Sequence, residues 1–305
     1  MKIAFIGLGS IAQKHIKAIK KIDSKANLFA VRSKKNSPLF NGIENISFVN
    51  LASFDLDAII ISNPSVYHKQ YIIDLAPLGI PIMVEKPICI SIDQWIELNQ
   101  LAKNPHPIIY CAFNLRFHPL IQFLKSYLKE KPDKIYEVNS YCGSYLPLWR
   151  PQIDYKNSYS AKSDLGGGVQ FDLIHEIDYI NFIFGQPIET QKQYRKLSHL
   201  KIDSFDYAHF NLTYQNFSVS ITLNYFRKDP KRTLEIVREN DTLLLNFIDD
   251  KLVNLNTGRV LIDAKNKGME LSYLNQMKYF ISIIKKKQQT NNSFKESLRI
   301  IKPIL

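Results

Sequence analysis

Cysteine is scarce in this chain: 3 residues in 305, Cys89, Cys111 and Cys142, with no two close in sequence. That excludes a disulfide framework and a four-thiolate zinc site, and the odd count suits a reducing compartment, so a cytoplasmic protein is expected. Long apolar runs are also missing. No stretch of about 18 apolar residues occurs to span a membrane as a helix, and the opening apolar run stops at Gly7, short of a signal-peptide core. Histidines paired with cysteine or carboxylate at metal-ligand spacing are lacking too, so no catalytic metal is expected.

Acidic residues are the minority charge: 28 Asp and Glu stand against 40 Lys and Arg, a net charge of +12. The lysines are spread along the chain, densest at Lys34-Lys35 and Lys285-Lys286-Lys287, with no interleaved basic and aromatic patch of a nucleic-acid module. The surplus reads as solvated surface, part of it available to a small anionic ligand. What the chain does have is a hydrophobic fraction of 45% and 12% aromatics, which excludes intrinsic disorder. Its length suits two domains, each with its own core.

Residues 2–6 form a short buried strand, and Gly7-Leu8-Gly9-Ser10-Ile11-Ala12 follows at once, with Ala12, Ile16 and Ile19 recurring at helical spacing. Strand, glycine turn and helix are the required context of the G-x-G-x-x-A dinucleotide motif. Gly7 permits the tight turn, Gly9 lets the backbone approach a pyrophosphate, and Ala12 lets the helix pack closely. Ser10 and Ile11 open a helix whose free N–H groups favour negative charge. A second strand, 27–31, ends at Arg32-Ser33-Lys34, where an NAD-preferring site carries Asp or Glu. The acid is missing. Arg32, Ser33 and Lys34 suit a 2′-phosphate, which favours NADP over NAD, a solvated basic turn being the alternative. Strands at 57–62 and 81–84 alternate with a helix over 66–76, and Ser91 with Gln94 forms a capping box for a helix reaching about 103. This alternation predicts a doubly wound parallel sheet of the Rossmann kind.

These residues, in order, carry a resemblance. Gly7 to Ala12, Asn63-Pro64 with His68 downstream, Glu85-Lys86-Pro87, and Gly166-Gly167-Gly168 leading to Asp172, His175 and Asp178 resemble the Gfo/Idh/MocA family of nicotinamide-dependent oxidoreductases. The resemblance implies an α/β chain: a Rossmann domain, here 1–117, and a C-terminal α/β domain, 118–305, built on a large, mostly antiparallel sheet that serves homo-oligomerisation. The second half reads that way by itself, since 135–146, 206–214, 217–226, 232–238 and 242–248 are rich in Val, Ile, Tyr, Phe and Thr, with Asn240-Asp241 as a turn. Helices at about 270–287 and 294–301 end the chain, available to pack back on the first domain.

The resemblance also assigns chemistry. Lys86 is the family's catalytic lysine by motif position, its ammonium able to stabilise a reacting oxygen. Glu85 orients Lys86 or contacts the cofactor, and Asn63, Pro64 and His68 lie at cofactor-binding positions. His175 is the candidate for proton transfer, since imidazole titrates near neutral pH. Asp172, on the same predicted helix (171–184), binds a substrate hydroxyl or orients His175, although three positions separate the pair where the family has four. His15 and His68, on helices at family-typical places, read as structural or near the cofactor, and His118 is set aside as a catalytic candidate. Asn114 and Arg116 are candidates for polar parts of a substrate. The irregular segment holding Trp149, Arg150, Tyr155 and Tyr159 is a candidate substrate loop, with rings for sugar C–H faces and a guanidinium for a phosphate or carboxylate; the alternative is a loop pinned down by its own aromatics.

The expected activity is hydride transfer between NAD(P) and a sugar, polyol or nucleotide-sugar hydroxyl or its ketone. The loop and the shortened Asp172 to His175 motif are similar to members associated with bacterial surface-sugar biosynthesis, acidic nine-carbon sugars included. Rival readings are a reductase of an enone, imine or pyrrole, and a non-catalytic nicotinamide-sensing regulator.

Overall fold

The computed structural model describes residues 1–32, 40, 42–286 and 292–305. They form two compact units, Met1–Phe113 with Tyr273–Pro303, and Asn114–Ser272. The break falls at Phe113, ahead of the expected 117, and the terminal helices group with the first unit instead of the second.

In the first unit six strands form a parallel sheet: β1 (Lys2–Ile6), β2 (Asn27–Val31), β3 (Glu44–Asn45), β4 (Ala58–Ile61), β5 (Ile82–Val84) and β6 (Ile109–Cys111), in the order β3-β2-β1-β4-β5-β6. The four residues of β4, Ala-Ile-Ile-Ile, are all buried, as both faces of a parallel sheet must be. Helix α1 (Ser10–Ile22) buries Ala12, Ala18 and Ile19. The helix expected over 66–76 starts as a tight turn at Ser65–Tyr67 and continues as α2 (His68–Leu75). Ser91 caps α3 (Ile92–Leu101) by accepting from the Gln94 amide, and the Gln94 side chain returns to the Ile90 amide, one residue before the usual box partner.

The second unit opens with α4 (Pro119–Glu130) and holds an eight-stranded sheet. Its strands are β7 (Ile135–Gly143), β8 (Glu189–Arg195), β9 (Tyr207–Thr213), β10 (Ser218–Asn224), β11 (Lys231–Arg238), β12 (Thr242–Asn246), β13 (Lys251–Asn254) and β14 (Arg259–Asp263), ordered β14-β13-β12-β11-β7-β10-β9-β8. Only β7 and β10 pair in parallel, Val138 opposite Val219; every other neighbouring pair is antiparallel. Along β7, Val138, Ser140 and Cys142 point inward. Between β7 and β8 lie an irregular loop, one helical turn α5 (Val169–Asp172) and α6 (His175–Phe184). Strand β8, Glu-Thr-Gln-Lys-Gln-Tyr-Arg, escapes sequence reading because an edge strand with largely polar side chains has no apolar alternation.

Helix α7 (Gly268–Lys286) begins in the second unit and belongs to the first from Tyr273 on, followed by α8 (Phe294–Ile301). The grouping has a physical cause. Leu298, Ile300 and Ile301 are buried, the Trp95 indole donates to the Leu298 carbonyl at 2.8 Å, and the Asn292 amide donates to the Cys111 carbonyl at the end of β6 at 2.6 Å.

Candidate active site

Gly7 ends β1 at φ +88°, and a Cβ there would stand 3.2 Å from the Asn63 backbone. The Ser62 hydroxyl donates to the Gly7 carbonyl at 2.9 Å, tying the end of β4 to the turn. Gly9 caps α1 with ordinary φ −74°, and no protein atom lies within 4 Å of where its Cβ would be. Nothing in the fold requires glycine there, and the space beside it is open to a group from outside. The first turn of α1 holds no acid, Ser10 is exposed, Ile11 half-buried, and Ala12 fully buried against the sheet. Asn63, followed by Pro64, keeps a buried Oδ1 without a hydrogen-bond partner. A clear cradle at a helix N-terminus and an unsatisfied amide oxygen beside it fit a dinucleotide's pyrophosphate and a nicotinamide carboxamide. Arg32 is half-buried at the end of β2, while Ser33 and Lys34 lie outside the described residues.

Glu85-Lys86-Pro87 follows β5, with the Lys86–Pro87 bond cis and Lys86 half-buried. The Glu85 carboxylate is turned onto the protein: Oε1 meets His15 Nε2 at 2.6 Å and Oε2 accepts the Lys86 amide at 3.3 Å. His15 is wholly buried and packs edge-on against Tyr273. His68, expected at the cofactor, is instead sealed inside. Its Nδ1 faces the Pro87 carbonyl at 2.8 Å and its Nε2 the Asn63 carbonyl at 2.9 Å, so one ring bridges the loops after β4 and β5. Burial holds the His68 pKa below its usual value, against the pull of the two carbonyls. Glu85, His15 and His68 thus brace the Lys86 and Asn63 backbones, and His68 is corrected from a cofactor contact to a brace.

In the second unit the glycine triplet is a packing device. Gly166 and Gly168 take φ +83° and +124°, and a Cβ on Gly167 would be driven into the Tyr159 carbonyl and stand 2.6 and 2.7 Å from the Lys162 and Ser160 carbonyls. The single helix expected over 171–184 is two pieces. α5 ends at Asp172, the chain turns at Leu173 and Ile174, and His175, half-buried, starts α6, so Asp172 and His175 do not share a helix face. Buried ion pairs bolt α6 in place. Glu176 accepts from Arg232 at 2.5 and 2.9 Å and from the Tyr179 hydroxyl at 2.6 Å; burial, reinforced by the Glu176 charge, keeps Tyr179 protonated well above the ordinary phenol range. Asp178 accepts the fork of Arg116 at 2.7 and 2.9 Å.

Two expected substrate residues are therefore corrected. Arg116 is 0% exposed and its guanidinium neutralises Asp178, because a buried carboxylate needs a paired charge. Asn114 is buried and donates to the Ser272 hydroxyl at 2.8 Å. His118 caps α4 by accepting the Leu120 amide through Nδ1, which leaves Nε2–H facing Asp250 at 3.4 Å; burial pushes its pKa down to about 4.

Asp172 Oδ2 accepts the Tyr225 hydroxyl at 2.6 Å, and its negative charge also acts on the Tyr159 phenol. Burial and that negative charge hold both phenols protonated. The loop lies against these rings. Trp149 meets Tyr225 edge-on at 5.2 Å and donates from Nε1 to the Ser144 hydroxyl at 2.8 Å; the Arg150 guanidinium lies 5.5 Å over the Tyr159 ring. The Tyr155 hydroxyl accepts the Lys201 amide at 3.3 Å. Leu146, Trp149, Arg150, Ile153, Tyr155, Ser158 and Ser160 line a small open pocket. The partners Tyr225 and Arg232 carry no local motif, and only sheet register brings them to Asp172 and Glu176. Among the described residues, no group of three or more His, Cys, Asp or Glu could hold a metal ion.

Residues 1–113 match the model of the oxidoreductase family with NAD-binding Rossmann fold, and residues 133–244 match that of the GFO/IDH/MocA C-terminal domain. The chain belongs to the Gfo/Idh/MocA family. Among curated relatives of this family member, the uncharacterized oxidoreductase YrbE of Bacillus subtilis is 25% identical, the match covering 72% of this chain and 65% of YrbE. A 2,7-anhydro-N-acetylneuraminate hydratase of Mediterraneibacter gnavus is 27% identical over 43% of this chain and 34% of its own length. The chain thus spans between a third and two thirds of these relatives. Among solved structures, levoglucosan dehydrogenase in complex with NADH superposes with TM-score 0.86 at 15% identity, covering 98% of this chain and 94% of that one. The WlbA dehydrogenase of Bordetella pertussis, in complex with NADH and UDP-GlcNAcA, gives TM-score 0.81 at 16% identity, covering 99% and 92%. At these identities the likeness is one of fold.

Proposed function

We propose that this protein is a nicotinamide-dependent dehydrogenase that interconverts a hydroxyl and a ketone on a sugar or nucleotide sugar. The observation that carries the reading is the pairing of the clear space at Gly9 with a Lys86 backbone braced by Glu85 and His68. When bound, the nicotinamide accepts or returns the hydride. Lys86 donates a hydrogen bond to the reacting oxygen and stabilises the charge that develops on it. His175 takes the hydroxyl proton in oxidation and gives it back in reduction. Trp149, Arg150 and Tyr155 face the substrate, Trp149 with an apolar edge and Arg150 with a guanidinium suited to a carboxylate or phosphate. Relatives named for a polyol and for a sugar phosphate, an inositol 2-dehydrogenase and a glucose-6-phosphate 3-dehydrogenase, support a polyhydroxylated substrate.

NADP is the preferred cofactor in this reading, on the strength of Arg32 and the absent acid after β2. Arg32→Ala should weaken NADPH about tenfold and leave NADH nearly unchanged, the scale of one charged hydrogen bond. Equal affinities for NADPH before and after the substitution would remove that preference. The protein is a cytoplasmic homo-oligomer in the same reading. Its cysteines form no disulfide, and the outer positions of β7, Asn139 and Tyr141 among them, remain half-exposed on a sheet face. A panel of sugars and nucleotide sugars, scanned for formation of reduced nicotinamide, tests the activity. Turnover of one member is the expected result; cofactor binding without turnover of any would favour the sensing regulator.

A further inference from the structure

One buried ring in the first unit stands between the two loops that the proposed reaction needs. His68, 1% exposed, directs Nδ1 at the Pro87 carbonyl at 2.8 Å and Nε2 at the Asn63 carbonyl at 2.9 Å. Pro87 follows Lys86, and Asn63 carries the buried Oδ1 that has no hydrogen-bond partner. Both atoms facing the ring are carbonyl oxygens, which only accept. A neutral imidazole has one N–H, so it serves one carbonyl and turns the lone pair of its other nitrogen on the second; only the imidazolium donates to both. We infer that His68 is a positioning residue that holds the Lys86 loop and the Asn63 loop together by two hydrogen bonds when its ring carries two protons, and releases one loop when it carries one. The inference rests on the reading of Lys86 and Asn63 as parts of the hydride-transfer site.

The mismatch in the neutral ring has no local remedy. Turning the ring over exchanges each nitrogen for a carbon, so a flip sacrifices both contacts instead of restoring one. Moving a proton from Nδ1 to Nε2 only changes which carbonyl is served. Charged neighbours decide where the second proton is lost. Burial, the largest effect, disfavours the charged ring, as does the Lys86 ammonium, while the two carbonyls and the Glu85 carboxylate favour it, so the midpoint lies below the ordinary 6.5. That carboxylate is shared with His15 of α1, whose Nε2 meets Oε1 at 2.6 Å. On the helix that His68 opens, the Lys69 ammonium is paired with Glu97 of α3 at 3.0 Å. Loss of one buried hydrogen bond is worth about tenfold in an equilibrium, enough to loosen a loop without unfolding the domain. Acid therefore closes the clasp and base opens it.

The test uses the whole protein with isotopically labelled histidine nitrogens, followed by NMR from about pH 5 to 8, the range in which imidazoles change charge. The His68 signals should show two protonated nitrogens at the acid end and one bare nitrogen at the alkaline end. A ring that keeps one charge state throughout the folded range overturns the inference. Two neutral variants then read the consequence. His68→Asn offers a donor near the Nδ1 position, for Pro87, and His68→Gln one near the Nε2 position, for Asn63, so each keeps one link and neither titrates. With the substrate found in the sugar panel, kcat of the unsubstituted protein should exceed that of both variants about tenfold at the acid end and fall to within about threefold of the better one at the alkaline end, with sugar KM changed less than threefold. Taking the ratio at each pH removes the ionisations that all three proteins share. A ratio that stays flat while the ring titrates also overturns the inference. Should neither variant fold, the nitrogen signals of the unsubstituted protein decide alone. Should no sugar turn over, the proposed activity fails, and the inference is decided by those signals with the Kd of NADP, whose ratio between His68→Asn and the unsubstituted protein should follow the same pH curve.

Discussion

The two glycine motifs of this protein look alike in sequence and serve opposite ends. Beside Gly9 in the first unit no protein atom stands within 4 Å of a would-be Cβ, whereas beside Gly167 in the second unit three backbone carbonyls occupy that place. The first glycine leaves open space at the start of a helix; the second makes room for the chain itself. The same contrast runs through the other polar residues. Around Gly9, Asn63 holds an unsatisfied Oδ1 and Lys86 sits on a backbone braced from behind. Around Gly167, the charged residues are consumed in holding α6 and the loop.

The contrast yields measurements that would break or sharpen it. The largest effect belongs to Arg116. Arg116→Met leaves the Asp178 charge buried without its guanidinium, and denaturant unfolding should lose about 3 to 5 kcal/mol, most of it recovered when Asp178→Leu is added. A loss below about 1 kcal/mol would return Arg116 to the substrate. Next comes His118. Its folded pKa of about 4 lies below the unfolded 6.5, so between those values the unfolded chain binds more protons. Stability should therefore fall as pH drops from 6.5 to 4, by an amount on the order of 3 kcal/mol for this group. His118→Asn keeps an N-cap acceptor and removes the titration, so its stability profile over that window should be flatter; parallel profiles would contradict the assignment.

The glycines come third. Gly167→Ala should cost roughly 1 to 3 kcal/mol of stability, the usual scale of overpacking. Gly9→Ala should cost the fold little and weaken nicotinamide cofactor binding, read by quenching of protein fluorescence. A destabilised Gly9→Ala with unchanged cofactor affinity would erase the distinction.

The contrast also explains how much of the molecule could be read in advance. Gly7 to Ala12 and Glu85-Lys86-Pro87 are legible because their chemistry is decided within a few residues: strand end, turn, helix start, strand end. Strands β7 and β9 to β12 are legible by apolar alternation, while β8, polar on an edge, and the short β13 and β14 are not. The pairings of the second unit are not legible at all. Arg116 to Asp178, Arg232 to Glu176 and Tyr225 to Asp172 span 62, 56 and 53 residues, and sheet register with helix packing decides who meets whom. An arginine beside an asparagine after a strand looks like a ligand clamp until burial shows it needs its carboxylate. The turn at Leu173 and Ile174 is likewise hidden, since helical spacing from 171 to 184 continues through it.

The central claim, that Lys86 stabilises a reacting oxygen in a frame built to hold a nicotinamide, is tested most directly by Lys86→Ala. Cofactor affinity and turnover should be measured side by side on the sugar found in the panel. Affinity should stay within about threefold of the unsubstituted protein while turnover falls by at least ~10²-fold, the scale of a lost electrostatic catalytic group. Unchanged turnover with the cofactor bound would contradict it.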